Sequence, residues 1–151
     1  MIFVTGGTGL LGNCIVRELC ERSMETRVLC RSGSSRKPFD GLPVEIVEGD
    51  LNQFQVLDAA IAGCSAVIHC AAMIHIGWQK WDESRQVNVE GTRAVVEACL
   101  RHQCRLIHVS TVDTLPTART RDQPIDESGQ GGVPNVPCAY VVSKTEAEQL
   151  V

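Results

Sequence analysis

This sequence predicts a doubly wound α/β fold, an open parallel sheet with helices on both faces. Three observations carry the prediction. Short apolar runs alternate with amphipathic stretches along the chain, the signature of β-α-β units. The first run feeds directly into a glycine-rich stretch, "VTGGTGLLG" (4–12), and then into helical spacing. A later run, "SAVIHCAA" (65–72), is nearly continuous in apolar residues, as a strand covered on both faces must be.

The elements follow in order. "MIFV" reads as the first strand, and Leu11, Cys14, Ile15 and Leu19 recur at helical spacing after the glycines. "TRVLC" is a second strand and "VEIVEG" a third. A short helix then places Val56, Leu57, Ala60 and Ile61 on one face, with Gly63 as its stop. After the fourth strand, a longer helix spans about Asp82 to His102 and buries Val87, Gly91, Ala94, Val95 and Ala98. "CRLIHVS" is the fifth strand. The polar, Gly- and Pro-rich stretch 117–138 reads as a lid or substrate loop. The last helix begins near Ala139 and reaches Val151 with no glycine cap or turn signal, as in a chain that continues.

Composition narrows the class. At 151 residues the chain makes about one domain with room for a sizeable core. A net charge of −4 gives no reason to expect nucleic acid or an anionic membrane as partner. No apolar run is long enough to span a bilayer, and "MIFVTGG" enters a strand with no signal peptide before it. The eight cysteines, with no C-x-x-C pair, read as reduced thiols packed in a cytoplasmic core. No spacing suggests a metal site.

The opening glycines allow two registers, Gly7-Gly9-Gly12 and Gly6-Gly9-Gly12. A strand, a glycine turn and a helix in that order suit a dinucleotide. Glycine permits positive φ, lets backbone approach a pyrophosphate and lets the helix pack closely, and the helix N-terminus offers unpaired N–H groups. An NAD site commonly has a carboxylate at the end of the second strand for the ribose 2′-hydroxyl. Here that place holds Arg31, Ser32, Arg36 and Lys37, which suit a 2′-phosphate. NADP is therefore expected over NAD. Asp50, in "GDL", is placed to accept from the adenine amino group, to cap the next helix, or both.

The only tyrosine, Tyr140, precedes Lys144 by four residues, so phenol and ammonium share one helix face. A phenol serves as a base near neutral pH only where its anion is stabilised, and a neighbouring ammonium does that. Ser110 and Thr111, at the end of the fifth strand, offer a hydroxyl to a substrate oxygen or to their own backbone.

Taken together, these motifs resemble the extended branch of the short-chain dehydrogenase/reductase family. "TGGTGLLG" matches its glycine fingerprint, "GDL" its adenine-side motif and "HCAA" the loop behind the cofactor. "VNVEGT", "VST" and "YVVSK" match its central helix, catalytic hydroxyl and Tyr-x-x-x-Lys motifs. The resemblance implies a Rossmann-type sheet. It makes Tyr140 the general acid/base, Lys144 the group that lowers the tyrosine pKa and holds the ribose, Thr111 (before Ser110) the substrate-orienting hydroxyl, and Asn88 a support of the proton relay. It places Gly6, Thr8, Gly9, Leu10, Leu11, Gly12, Leu51, Cys70, Ala71 and Ala72 at the cofactor and selects the Gly6 register. Gly7 is then the spare glycine, and Gly7→Ala is expected to be tolerated where Gly9→Ala is not.

Within the branch, "VLCRSGS" and "NVEGTRAVVEAC" are most similar to the dihydroflavonol reductase and 3β-hydroxysteroid dehydrogenase group. The expected activity is an NADP-preferring oxidoreductase acting on a carbonyl or secondary alcohol. The alternatives are a sugar-nucleotide epimerase or dehydratase with bound NAD, and a non-catalytic NADP sensor or scaffold. Dehydratase relatives carry Asp-Glu after the catalytic threonine, where this chain has Val112 and Asp113. Members of the branch continue into a C-terminal portion that builds the substrate pocket. Residues 1–151 are thus expected to be the NAD(P)-binding domain, incomplete at its C-terminal end and inactive alone. The expected partners are a small-molecule substrate and a second copy in a homodimer. His69 and His108 read as strand residues that pack or bond locally, and His75, Trp78 and Trp81 as a loop walling the substrate side.

Overall fold

A computed structural model describes residues 1–116, 118, 120, 122–126 and 138–151. The sheet is parallel, with strand order β3-β2-β1-β4-β5. Its strands are β1 (Ile2–Thr5), β2 (Thr26–Cys30), β3 (Val44–Glu48), β4 (Ala66–His69) and β5 (Arg105–His108). The order reverses between β1 and β4, so both strands leave a crevice at their carboxyl ends. Ile2 pairs with Ala66 and Thr5 with His69, which brings the ends of "IFVT" and "AVIH" level.

Period-two alternation divides the core between the two faces. Phe3, Leu57, Ile61, Val67 and Val95 are buried on one face. Val4, Val16, Leu19, Val28 and Phe39 are buried on the other. Full burial of each such side chain stabilises the fold by about 1.5–3 kcal/mol. Helices α1 (Leu10–Glu21), α2 (Phe54–Ile61) and α4 (Gly91–Arg101) supply the partners.

Three expectations change. The core face of α1 is Gly12, Val16 and Leu19, spaced four and three apart, whereas Leu11 and Cys14 are exposed. The glycine that must lie against the turn sets this rotation. The long helix expected from Asp82 to His102 is interrupted: α3 (Trp81–Arg85) passes through a π turn, Gln86–Glu90, into α4. There the Thr92 hydroxyl donates to Asn88 O at 2.6 Å and takes up a carbonyl of the turn. Asp50 is not the cap of α2, a position held by Gln53; its carboxylate accepts from Asn52 N at 3.1 Å.

The fifth helix, α5 (Ala139–Glu148), packs on α3 and the π turn. The expected lid at 117–138 falls largely outside the described residues. All eight cysteines are free thiols; Cys30, Cys64, Cys99, Cys104 and Cys138 are buried, while Cys14 lies on the surface. Among the described residues no helix is long and apolar enough to cross a membrane, and no cluster of His, Cys, Asp or Glu could hold a metal.

Candidate functional site

At the carboxyl ends of β1, β4 and β5 lies a cavity of about 690 Å³. Gly6 turns the chain into it with φ +71°, a conformation that only glycine adopts freely. A Cβ there would stand 2.6 Å from Ala71 N. Gly9 N donates to Gly6 O at 3.0 Å and closes the turn. A Cβ on Gly12 would fall onto Gly6 O. Gly7 has ordinary φ, and the nearest atoms its added Cβ would meet belong to the Phe39 and Val16 side chains. Gly6, rather than Gly7, therefore makes the turn.

Gly9 caps α1 in extended backbone with no side-chain acceptor on the first turn. Gly6, Thr8, Gly9, Leu10, Leu11 and Gly12 line the cavity around that open helix end, the backbone arrangement that takes a phosphate. Arg31, Asp50 and Leu51 line it on one side, and Cys70, Ala71 and Ala72 behind. Ser32 and Arg36 lie outside this lining. The Arg36 guanidinium is engaged by the Glu48 carboxylate at 2.5 Å.

A buried polar chain holds the back wall. Ala71 N donates to Thr5 Oγ1 at 3.3 Å, and Thr5 Oγ1 lies 2.6 Å from His69 Nδ1. His69 Nε2 lies 3.1 Å from Thr92 Oγ1. Because the Thr92 proton goes to Asn88 O, Thr92 must accept from His69, whose proton therefore sits on Nε2. His69 Nδ1 then accepts from Thr5. Burial and the nearby His108 and Lys144 lower the His69 pKa to about 3, so the ring is neutral.

Asn88 acts as a clamp. Its Oδ1 accepts from Met73 N at 2.7 Å, while Nδ2 donates to Met73 O at 3.0 Å and to Ser143 Oγ at 2.9 Å. Ser143 in turn donates to Tyr140 O at 2.9 Å. The loop behind the cavity is thereby tied to the first turns of α5. Asn88 itself stands outside the cavity lining, one layer behind.

Tyr140 and Lys144 both line the cavity, together with Val109 and Ser110. Lys144 is 3% exposed. Its Nζ donates to Val109 O at 2.7 Å and stands 3.1 Å from His108 Nε2. Burial lowers its pKa to about 8, against a smaller upward pull from Glu148 and Cys70. Burial and Lys144 lower His108 to about 4. Ser110 Oγ is buried with no hydrogen-bond partner among the described residues. Thr111, by contrast, caps a short 3-10 turn, donating to Asp113 Oδ2 at 3.1 Å and accepting from Asp113 N.

The order of motifs and the cavity they share point to one family, and a comparison of the chain decides it. Residues 2–151 match the model of the NAD dependent epimerase/dehydratase family. The chain belongs to that family. A Synechocystis sp. relative bearing the name of a dihydroflavonol 4-reductase is 37% identical over 150 residues, covering 97% of this chain and 43% of its own. The rat 3 beta-hydroxysteroid dehydrogenase type 7 is 33% identical over 159 residues, covering 98% and 46%. Among solved structures, the UDP-glucose 4-epimerase of Thermus thermophilus in complex with NAD superposes with a TM-score of 0.80. It is 25% identical, over 98% of this chain and 48% of that one. The chain thus spans less than half the length of these relatives. Epimerase/dehydratase family members include both reductases and sugar epimerases, on the Rossmann-like sheet found here.

Several residues of the site escape a reading by motif. His69 and His108 stand in strand patterns where neither charge nor spacing marks them. Met73 enters through its backbone, which no side-chain pattern reveals. Ser143 could have been noticed, since it lies inside "YVVSK", but only the fold brings it to Asn88.

Proposed function

We propose that the chain is the cofactor-holding part of an NADP-preferring oxidoreductase acting on a carbonyl or secondary alcohol. One observation carries this reading: Tyr140 and Lys144 line the same cavity as the glycine turn and Arg31. When bound, the nicotinamide cofactor gives or takes the hydride. Tyr140 Oη gives a proton to the carbonyl oxygen on reduction and recovers it on oxidation. Lys144 keeps a positive charge beside this exchange, anchored by Val109 O. Thr111 orients the substrate oxygen, trading its bond to Asp113 for one to substrate, and Asn88 holds the helix that carries the pair. The relatives named for flavonol and steroid chemistry favour an apolar substrate framework. Met73 and Ile74 on the cavity wall, followed along the chain by the exposed Ile76 and Trp78, support that choice. The five buried free thiols suit a reducing compartment, the cytoplasm.

Arg31 carries the NADP preference. In the intact protein, Arg31→Asp should weaken NADPH binding by roughly 10²-fold through the loss of one charge-assisted bond and the gain of a repulsion. NADH binding should change little. Fluorescence titration with the two nucleotides measures both. Equal losses refute the 2′-phosphate role, and NAD retained through purification favours the epimerase reading.

The hydroxyl is tested by two variants. Thr111→Ala should lower turnover by roughly 10²-fold with NADPH binding retained, and Ser110→Ala should do less. The reverse ranking transfers the role to Ser110, whose hydroxyl is buried and has no partner among the described residues.

A further inference from the structure

We infer that His108 is a positioning residue for Lys144, accepting one hydrogen of its ammonium and so fixing which hydrogen faces the cavity. The inference rests on the reading of Tyr140 and Lys144 as the acid/base pair.

An ammonium has three donors and no acceptor. Nζ of Lys144 spends one hydrogen on Val109 O at 2.7 Å. The contact of 3.1 Å to His108 Nε2 can then be a hydrogen bond only if Nε2 carries the lone pair, which puts the imidazole proton on Nδ1. Nδ1 is buried and finds no partner among the described residues. Among the described residues, nothing on that side selects the tautomer or aims the ring, and the polar contact of this histidine goes to the lysine. Two hydrogens are thus committed to β5 and the residue after it. The third is left for the cavity that Lys144 shares with Tyr140.

The surrounding groups are consistent with this arrangement. His69 on β4 has its ring centre 5.5 Å from that of His108, but both its nitrogens are already bonded, to Thr5 and Thr92. Glu148 on α5 and Cys70 after β4 favour the charged form of Lys144. Burial first and then the Lys144 charge oppose a charge on His108, which keeps the acceptor neutral at working pH. Two replacements separate filling the space from accepting: a leucine fills it and accepts nothing, whereas a glutamine reaches a similar depth with a carbonyl oxygen.

The test uses the intact protein, with competitive labelling of Lys144 by acetic anhydride across pH, read by mass spectrometry. In the unaltered protein Lys144 should titrate near pH 8. His108→Leu should move that titration down by about one pH unit, a tenfold change in the ratio of charged to neutral amine. His108→Gln should return it close to the original value, a rescue that packing alone does not give. An unmoved titration in the leucine variant overturns the inference. Should that variant not fold, the ¹⁵N spectrum of the unaltered protein decides: a proton on His108 Nδ1 upholds the inference, and one on Nε2 overturns it. The two readings fail separately. Turnover kept by Tyr140→Phe defeats the acid/base pair but leaves the lysine titration as described. An unmoved lysine titration in His108→Leu, together with an inactive Tyr140→Phe variant, defeats only the role of His108.

Discussion

Replacing Tyr140 with phenylalanine should lower turnover of the intact protein by roughly 10²–10⁴-fold, the usual contribution of a positioned acid/base, while NADPH binding persists. The substitution removes one oxygen and keeps the ring, so the half-buried packing of the residue at the start of α5 is retained. The backbone carbonyl of residue 140 still accepts from Ser143, so the clamp through Asn88 survives. Only the proton donor is lost. Steady-state rates and a nucleotide titration measured on the same sample separate chemistry from binding, and a variant that turns over normally would remove the basis of the proposal. The pH profile adds a second check. Lys144 is charged below about pH 8 because burial lowers its pKa from the ordinary lysine value. Carbonyl reduction should therefore fall as pH rises through 8, where the ammonium is lost, and not wait for the ordinary lysine range.

Gly12→Ala should be far more damaging than Gly7→Ala or Gly9→Ala, destabilising by about 3 kcal/mol or more through overpacking of backbone against backbone. Its new methyl would fall onto Gly6 O, and the C–O unit it strikes belongs to the turn itself. Neither partner can rotate away. In Gly7→Ala the methyl would meet the edge of the Phe39 ring at 3.3 Å, a side chain able to give by a few tenths of an ångström. In Gly9→Ala it would stand 3.3 Å from Gly6 O, so the damage there belongs to nucleotide affinity more than to stability. Thermal midpoints and NADPH dissociation constants of the three variants separate these effects. A Gly12→Ala protein that melts like the unaltered one contradicts the packing argument.

The strands, the glycine turn and the Tyr-Lys pair were legible because each is written locally. An apolar run, a positive-φ position and an i,i+4 spacing need no knowledge of the rest of the chain. The rotation of α1 was less legible. Cys14 and Leu11 are apolar enough to read as core, but Gly12 has to lie on the turn, and this brings Val16 inward. The interruption of the long helix was illegible for a related reason, since Gln86–Glu90 contains no proline or glycine to announce it. It arises from bonds made by Asn88 to Met73 and by Thr92 to Asn88 O, and the first of these joins segments fifteen residues apart. Arg36 shows the limit for charges. The sequence offers a cation near the second strand, but Glu48 reaches it from the next strand.

A π turn holds one residue more than the α turn it replaces, so everything from Gly91 onward stands about 100° out of phase with Trp81–Arg85. Viewed down its axis, the rod carries two independent faces. One presents Arg85 to Glu146 of α5 at 3.0 Å, and the other presents Val95 and Ala98 to the sheet. A substitution at Asn88 would break three hydrogen bonds at once, whereas one at the exposed Gln86 or Glu90 touches a surface contact. Deleting a single residue there would turn the π turn into an α turn and leave both faces on their partners, because the residue lost and the phase step cancel. What this segment must keep is Asn88 before its length.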